Sequence, residues 1–70
     1  MGKRLKIHDF TKPELDYIES LANFTPDQLV FFRLRSSGKS MVEICFDMSI
    51  SESKASVLSS AVKKKIIKVL

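Results

Sequence analysis

Residues 40–68 read SMVEICFDMSISESKASVLSSAVKKKIIK, and they contain two helix starts with a short turn between them. Ser40 followed three residues later by Glu43 is a capping box, which starts a helix by satisfying its first free N–H groups. Ser51 caps a second helix. Behind that cap, one face at helical spacing holds Ala55, Leu58, Ser59, Val62 and Ile66. The pattern predicts a short helix over roughly 41–47 and a longer one over 52–68, joined as a helix-turn-helix.

Two further helices are predicted upstream by the same kind of start signal. Residues 11–14 (TKPE) spell a capping box, and residues 25–28 (TPDQ) repeat it with proline at the first helical position. These patterns predict helices over roughly 12–22 and 26–36. Gly38 supplies the left-handed residue that ends the second of them. Four helices joined by such short loops pack as one bundle, so we expect an all-α four-helix bundle containing a helix-turn-helix.

The same boundaries define the expected domain organisation. Residues 1–11 form a basic N-terminal tail, and residues 12–70 form the helix-turn-helix domain, with the helix-turn-helix itself at 41–67. At 70 residues the chain has room for one small domain and none for a second lobe with a cleft between them.

The composition excludes several classes of protein. One Cys and one His cannot supply a disulfide framework or the four ligands of a structural zinc site. No apolar run approaches the roughly 20 residues of a membrane span, and the first residues lack the apolar stretch of a signal peptide. We therefore expect a cytoplasmic protein with no metal, no cofactor and no membrane partner.

The positive charge is concentrated at the two ends of the chain. Residues 1–12 hold four basic side chains against one acid, residues 13–50 three against six, and residues 51–70 five against one. These segments carry +3, −3 and +4, which sum to the formal +4 of the chain. Two interpretations stay open at this point: a polyanionic partner such as DNA, or a solvated helix face with a basic tail.

Residues 24–52 read FTPDQLVFFRLRSSGKSMVEICFDMSISE, and this run resembles the helix-turn-helix domains of LuxR-type regulators and of sigma-factor region 4. The matching positions are Thr25, Pro26, Leu34, Gly38, Lys39, Ser40, Glu43, Ile44, Cys45, Ile50, Ser51 and Glu52. The resemblance covers roughly residues 24–70. The opening FTKPEL at residues 10–15 is also similar to short single-domain helix-turn-helix proteins of Gram-positive bacteria and their phages.

The resemblance implies a sequence-preferring DNA-binding protein that regulates transcription with helix 52–68 in the major groove. It assigns phosphate contacts to Lys39, Ser40, Ser51 and Ser53, and places Lys54 and Ser56 near base edges. The helical phase adds residues opposite the buried face, namely Ser53, Val57, Ser60 and Lys64. The predicted DNA-binding residues are therefore Lys39, Ser40, Ser51, Ser53, Lys54, Ser56, Val57, Ser60, Lys63 and Lys64.

This helix departs from the family in its reading residues. The strong readers of the major groove are Arg, Lys, Asn and Gln, which form bidentate pairs with bases, and this helix contains no Arg, Asn or Gln. Its lysines cluster towards the C-terminal end, a placement that suits contact with the DNA backbone. A single small module binds DNA weakly, so we expect a homodimer or a larger assembly, with the exposed apolar residues Val57, Ala61 and Ile67 as the candidate dimer contact.

The alternative is a protein-interaction module on a helix-turn-helix scaffold, for example an adaptor for RNA polymerase or for phage assembly. An enzyme is not expected, because His8 is the only histidine and has no predicted partner. The five Phe are interpreted mainly as core, including Phe46. Because Phe31 and Phe32 are adjacent on one helix, one of them is predicted to be partly exposed. Cys45 is expected to be a small buried hydrophobic residue.

Overall fold

Each of the four helices begins directly behind a hydroxyl side chain that caps it. The structure, a computed structural model, describes residues 10–70. The helices are α1 (Lys12–Ala22), α2 (Pro26–Ser36), α3 (Met41–Met48) and α4 (Glu52–Val69). Their N-caps are Thr11, Thr25, Ser40 and Ser51. Residues 10–70 contain no strand, and the predicted all-α four-helix bundle is confirmed.

Three of these helix starts are complete capping boxes. At α3, the hydroxyl of Ser40 accepts from the backbone N–H of Glu43 at 3.2 Å, and the Glu43 carboxylate accepts from the N–H of Ser40 at 2.9 Å. Similar pairs start α1 and α2. The fourth start is simpler, since Ser51 accepts from the N–H of Lys54 at 3.2 Å. Such local bonds place the helix starts within a few residues of sequence, which is why the caps were predictable.

α4 is the central helix of the bundle, because it packs against α1, α2 and α3, while α2 also contacts α3. Its buried face consists of Ala55, Leu58, Val62 and Ile66, as predicted. Across from it lie the buried residues Ile18, Ala22, Phe31, Phe32 and Ile44. The rings of Phe24 and Phe32 stack with their centroids 4.9 Å apart. The core thus fixes one side of α4 inside the protein and leaves the opposite side to solvent.

The corner between α3 and α4 closes with hydrogen bonds of the Schellman type. The N–H of Ser49 donates to the carbonyl of Phe46 at 3.3 Å, and the N–H of Ile50 donates to the carbonyl of Cys45 at 3.0 Å. Ser49 itself has a φ of 55°, in the left-handed region that glycine usually occupies at this position. The turn therefore ends α3 and redirects the chain into α4 within three residues.

The same device ends α2 with a glycine. Gly38 has a φ of 95°. Its N–H donates to the carbonyl of Arg35 at 3.0 Å, and the next N–H, from Lys39, donates to the carbonyl of Leu34 at 3.2 Å. Gly38 therefore stops the helix as predicted.

Two expectations for the phenylalanines are wrong. Phe31 and Phe32 are both fully buried, with 0% and 1% of their surface exposed, because α2 is covered by α4 and α3 on different sides. Phe46, expected in the core, is 83% exposed. It follows the buried Ile44 by two residues, which is about 200° around the helix, so it points away from the core. Cys45 is half-buried instead of buried.

The described helices show neither a membrane span nor a metal cluster. Within residues 10–70, no helix is both long and apolar enough to cross a bilayer. Nor do these residues bring together three or more His, Cys, Asp or Glu side chains that could hold a metal ion. His8 and most of the predicted basic tail lie outside the described residues.

Candidate nucleic-acid interface

The solvent side of α4 forms a continuous surface that we call the outer face. It comprises Ser53, Ser56, Val57, Ser60, Lys63, Lys64, Ile67 and Lys68, all of them exposed. The face arises because the core residues of α4 recur every three or four positions and leave the opposite half-turns without a partner. Six of the ten predicted DNA-binding residues therefore share one surface, and Lys54 is exposed at its edge.

The lysines of this surface have no carboxylate partner among residues 10–70. Within that part of the chain the ion pairs are Lys12 with Asp16, Arg33 with Glu19, and Lys39 with Asp47. None of them involves α4, so the charges of Lys54, Lys63, Lys64 and Lys68 are not offset by a paired acid in the described structure. A surface of this kind attracts polyanions.

Several acids of the other helices are instead used for structure. The guanidinium of Arg33 donates to the Glu19 carboxylate at 2.7 Å and 3.2 Å, tying α2 to α1. These hydrogen bonds hold the pKa of Glu19 below its ordinary value. The pKa of Glu43 is also lowered, because its carboxylate accepts from the backbone N–H of Ser40. The charged side chains of the outer face are all lysines, and Glu52 at the start of α4 is the one acid of that helix.

Three of the predicted phosphate-binding residues are engaged within the protein. The Nζ atom of Lys39 lies 3.3 Å from a carboxylate oxygen of Asp47. The hydroxyl oxygens of Ser40 and Ser51 accept hydrogen bonds from the helix ends that they cap. A capping serine still has its own O–H to donate, whereas Lys39 would have to leave Asp47 to reach a phosphate.

Lys65 has a role that the sequence did not indicate. Its ammonium group donates to the carbonyl oxygen of Asn23 at 2.8 Å and to the side-chain oxygen of Gln28 at 2.6 Å. Lys65 is only partly exposed, and it joins α4 to the start of α2. The helical phase could have indicated that Lys65 lies near the buried side of α4, since it is about 60° from the core residue Val62 on a helical projection.

The predicted dimer residues do not form one patch. Val57 and Ile67 are 65% and 64% exposed, whereas Ala61 is half-buried. Ten residues separate Val57 from Ile67, which is about 15 Å along a helix. Ala61 and Ile67 instead line a shallow groove of about 490 Å³ whose other walls are Lys64, Lys65 and Lys68. Val57 lies apart from it, among the serines.

A second exposed apolar site occurs on α3 and was missed. Val42 and Phe46 are 62% and 83% exposed and stand four residues apart, on the side of α3 opposite the buried Ile44. The spacing alone predicts this arrangement once Ile44 is placed in the core.

Comparison of the chain with models of protein families, with curated proteins and with solved structures finds no match.

Proposed function

We propose that this protein is a cytoplasmic DNA-binding protein that regulates transcription through the outer face of α4. The observation that carries the proposal is the charge of that face. Four exposed lysines lie on or beside it, with no ion pair to a carboxylate in residues 10–70, on a helix whose opposite side is the core of the bundle.

The dimensions of α4 suit the major groove. An α-helix with its side chains is about 10–12 Å across and the groove is about 12 Å wide, so the 18 residues of α4 fit in it over a length of about 27 Å. Lys54 stands near the start of α4, whereas Lys63, Lys64 and Lys68 stand near its end. A helix lying in the groove would thus bring lysines to phosphates at both of its ends, with the serines between them facing base edges.

Phosphate contacts account for most of the affinity in this proposal. Serine hydroxyls accept from or donate to several bases and discriminate weakly. The resulting protein prefers some sequences without rejecting the others strongly. The preference for particular DNA sequences becomes stronger when a second copy of the chain binds, since two modules on neighbouring half-sites combine their contacts.

The lysines around the proposed dimer contact oppose formation of the homodimer. A symmetric contact through Ala61 and Ile67 would set Lys64 and Lys68 of both copies against each other. These like charges repel each other, and the repulsion is screened by salt or neutralised by DNA phosphates. Dimerisation is therefore proposed to occur on DNA, with little of it in the free protein at low salt.

The second candidate function is the protein-interaction module. The observation that favours it is the exposed pair Val42 and Phe46 on α3, because large exposed aromatic side chains are the usual anchors of protein interfaces. An RNA polymerase subunit or a phage-assembly protein is the kind of partner considered.

Salt-dependent DNA binding tests the first candidate against the second. A labelled 20-base-pair duplex is titrated with the full chain at about 50 mM and about 200 mM salt. With four phosphate contacts the slope of log affinity against log salt is about −3.6, so affinity falls about 150-fold across this range. Phe46→Ala serves as the control and leaves DNA binding unchanged. Absence of binding at 50 mM salt contradicts the proposal and favours the interaction module.

A further inference from the structure

One apolar side chain stands within the polar part of the outer face of α4. Val57 is 65% exposed, and the exposed residues around it on the helix are Ser53, Ser56, Ser60 and Lys64. A single exposed valine is ordinary on a protein surface. Here, however, it occupies the middle of the surface that the proposed function turns towards the bases.

The other side chains of the outer face restrict which bases it can distinguish. α4 contains no Arg, Asn or Gln, so no bidentate pair with adenine is available, and guanine could be paired only by the lysines, which the proposed function assigns to phosphates. Serine hydroxyls are both donors and acceptors and fit every base pair. In the major groove the one apolar group that distinguishes the base pairs is the C5-methyl group of thymine.

We propose that Val57 is the specificity-determining residue of this face and that its ligand is duplex DNA carrying C5-methyl groups in the major groove. This inference rests on the proposed function, because it needs α4 to lie in the groove. The ligand class is A·T-rich DNA, in which thymine methyl groups are dense. The isopropyl group of Val57 contacts these methyl groups, while the neighbouring serines accept whichever base edge they meet.

The spacing along α4 agrees with this assignment. Ser53 and Ser60 are seven residues apart, about 10 Å along the helix, which corresponds to about three base-pair steps of 3.4 Å. Val57 lies near the centre of that span. Lys54 lies about one helical turn before Val57 and Lys64 about two turns after it. Phosphate contacts by these two lysines would therefore hold Val57 between them over the groove.

The test removes the methyl group from the DNA without changing its charge. Two duplexes are compared by fluorescence anisotropy at about 50 mM salt: one of alternating A and T, and one in which every T is replaced by deoxyuridine. Burial of one methyl group changes affinity about fourfold, so the thymine duplex binds at least that much more tightly. A G·C duplex with 5-methylcytosine binds more tightly than its unmethylated form for the same reason.

Two valine variants show whether Val57 is responsible. Val57→Ala is expected to bind the thymine and uracil duplexes within twofold of each other. Val42→Ala removes a valine of nearly equal exposure from α3 and keeps the full discrimination. Circular dichroism confirms that both variants fold.

The results separate the two proposals. Wild-type protein that binds both duplexes with equal affinity overturns the role of Val57 and leaves DNA binding intact. Discrimination that survives Val57→Ala overturns it as well. Failure to bind any duplex at low salt overturns this inference and the proposed function together.

Discussion

The Nζ atom of Lys65 lies 2.6 Å from the side-chain oxygen of Gln28, and this contact separates Lys65 from the two lysines beside it in sequence. Gln28 also accepts from the backbone N–H of Thr25 at 3.1 Å as part of the α2 capping box. Lys65 thus ties the C-terminal part of α4 to the start of α2. Lys64 and Lys63, one and two positions earlier, are exposed.

The first prediction concerns stability. Lys65→Met removes the donor to Asn23 and Gln28, and we expect the free energy of unfolding to fall by about 1–2 kcal/mol, the usual cost of losing hydrogen bonds of this kind. Lys64→Met is the matched control and is expected to change it by less than about 0.5 kcal/mol. Urea denaturation measures both. Equal losses for the two variants would show that the contact of Lys65 adds nothing specific.

The second prediction concerns DNA binding, for which Lys64 is expected to matter more than Lys65. Lys64→Met is expected to weaken binding to every duplex sequence and to reduce the salt slope by about 1, because one phosphate contact is lost. Lys65→Met, measured under conditions where it remains folded, keeps the wild-type slope. Lys64→Glu weakens binding further, since it adds repulsion to the lost contact. An unchanged slope in Lys64→Met would mean that this lysine does not face phosphate.

The third prediction concerns the turn between α3 and α4. Ser49 holds a φ of 55°, where a side chain costs about 1 kcal/mol relative to glycine. Ser49→Gly is therefore expected to raise the free energy of unfolding by about 0.5–1 kcal/mol. Gly38→Ala, at a φ of 95° with no atom within 4 Å of the added Cβ, is the reverse change and is expected to lower it by about as much. Thermal denaturation measures both, and destabilisation by Ser49→Gly would contradict the account of the turn.

The fourth prediction is a pH dependence. The hydrogen bond from the Ser40 N–H lowers the pKa of Glu43 below its ordinary value of 4.5. Its carboxylate is therefore more acidic in the folded than in the unfolded protein, so its contribution to stability is present above pH 4.5 and is lost as pH falls through the lowered pKa. Glu43→Gln keeps an acceptor, as Gln28 does in α2, and removes this titration.

The measurement is the free energy of unfolding of both proteins at pH 7 and at pH 3. Wild type is expected to lose more stability on acidification than Glu43→Gln. Identical losses would show that the capping box of α3 does not contribute to the pH dependence.

The helix boundaries were predictable from the sequence, whereas the contacts between helices were only partly so. Ser40 and Ser51 bond to groups within three residues, so their roles follow from local sequence. The buried face of α4 follows from its period. The burial of both Phe31 and Phe32 depends on α2 being covered from two sides, and the bonds of Lys65 join positions 37 and 42 residues apart in sequence. Neither the burial of both phenylalanines nor the hydrogen-bond partners of Lys65 can be identified from residues close in sequence.

The candidate site shows the same difference between features set by local sequence and contacts between distant residues. The centre of the outer face was predicted by helical phase, because the period of 3.6 places Ser53, Val57, Ser60 and Lys64 opposite the core. The pairing of Lys39 with Asp47 was not predicted, since it depends on how the turn before α3 folds back towards the end of that helix. The exposure of Phe46 could have been found by placing Ile44 in the core first.

The central claim is that the outer face of α4 meets DNA, and amide chemical-shift mapping tests it most directly. The ¹⁵N-labelled protein is titrated with a 20-base-pair A·T-rich duplex at low salt. The account predicts that the largest shifts fall on residues 53–64 and on the N–H groups at the start of α4, with small changes around Tyr17 and Leu21 on α1. Shifts concentrated on α1, or around Val42 and Phe46 on α3 with α4 unchanged, would contradict it.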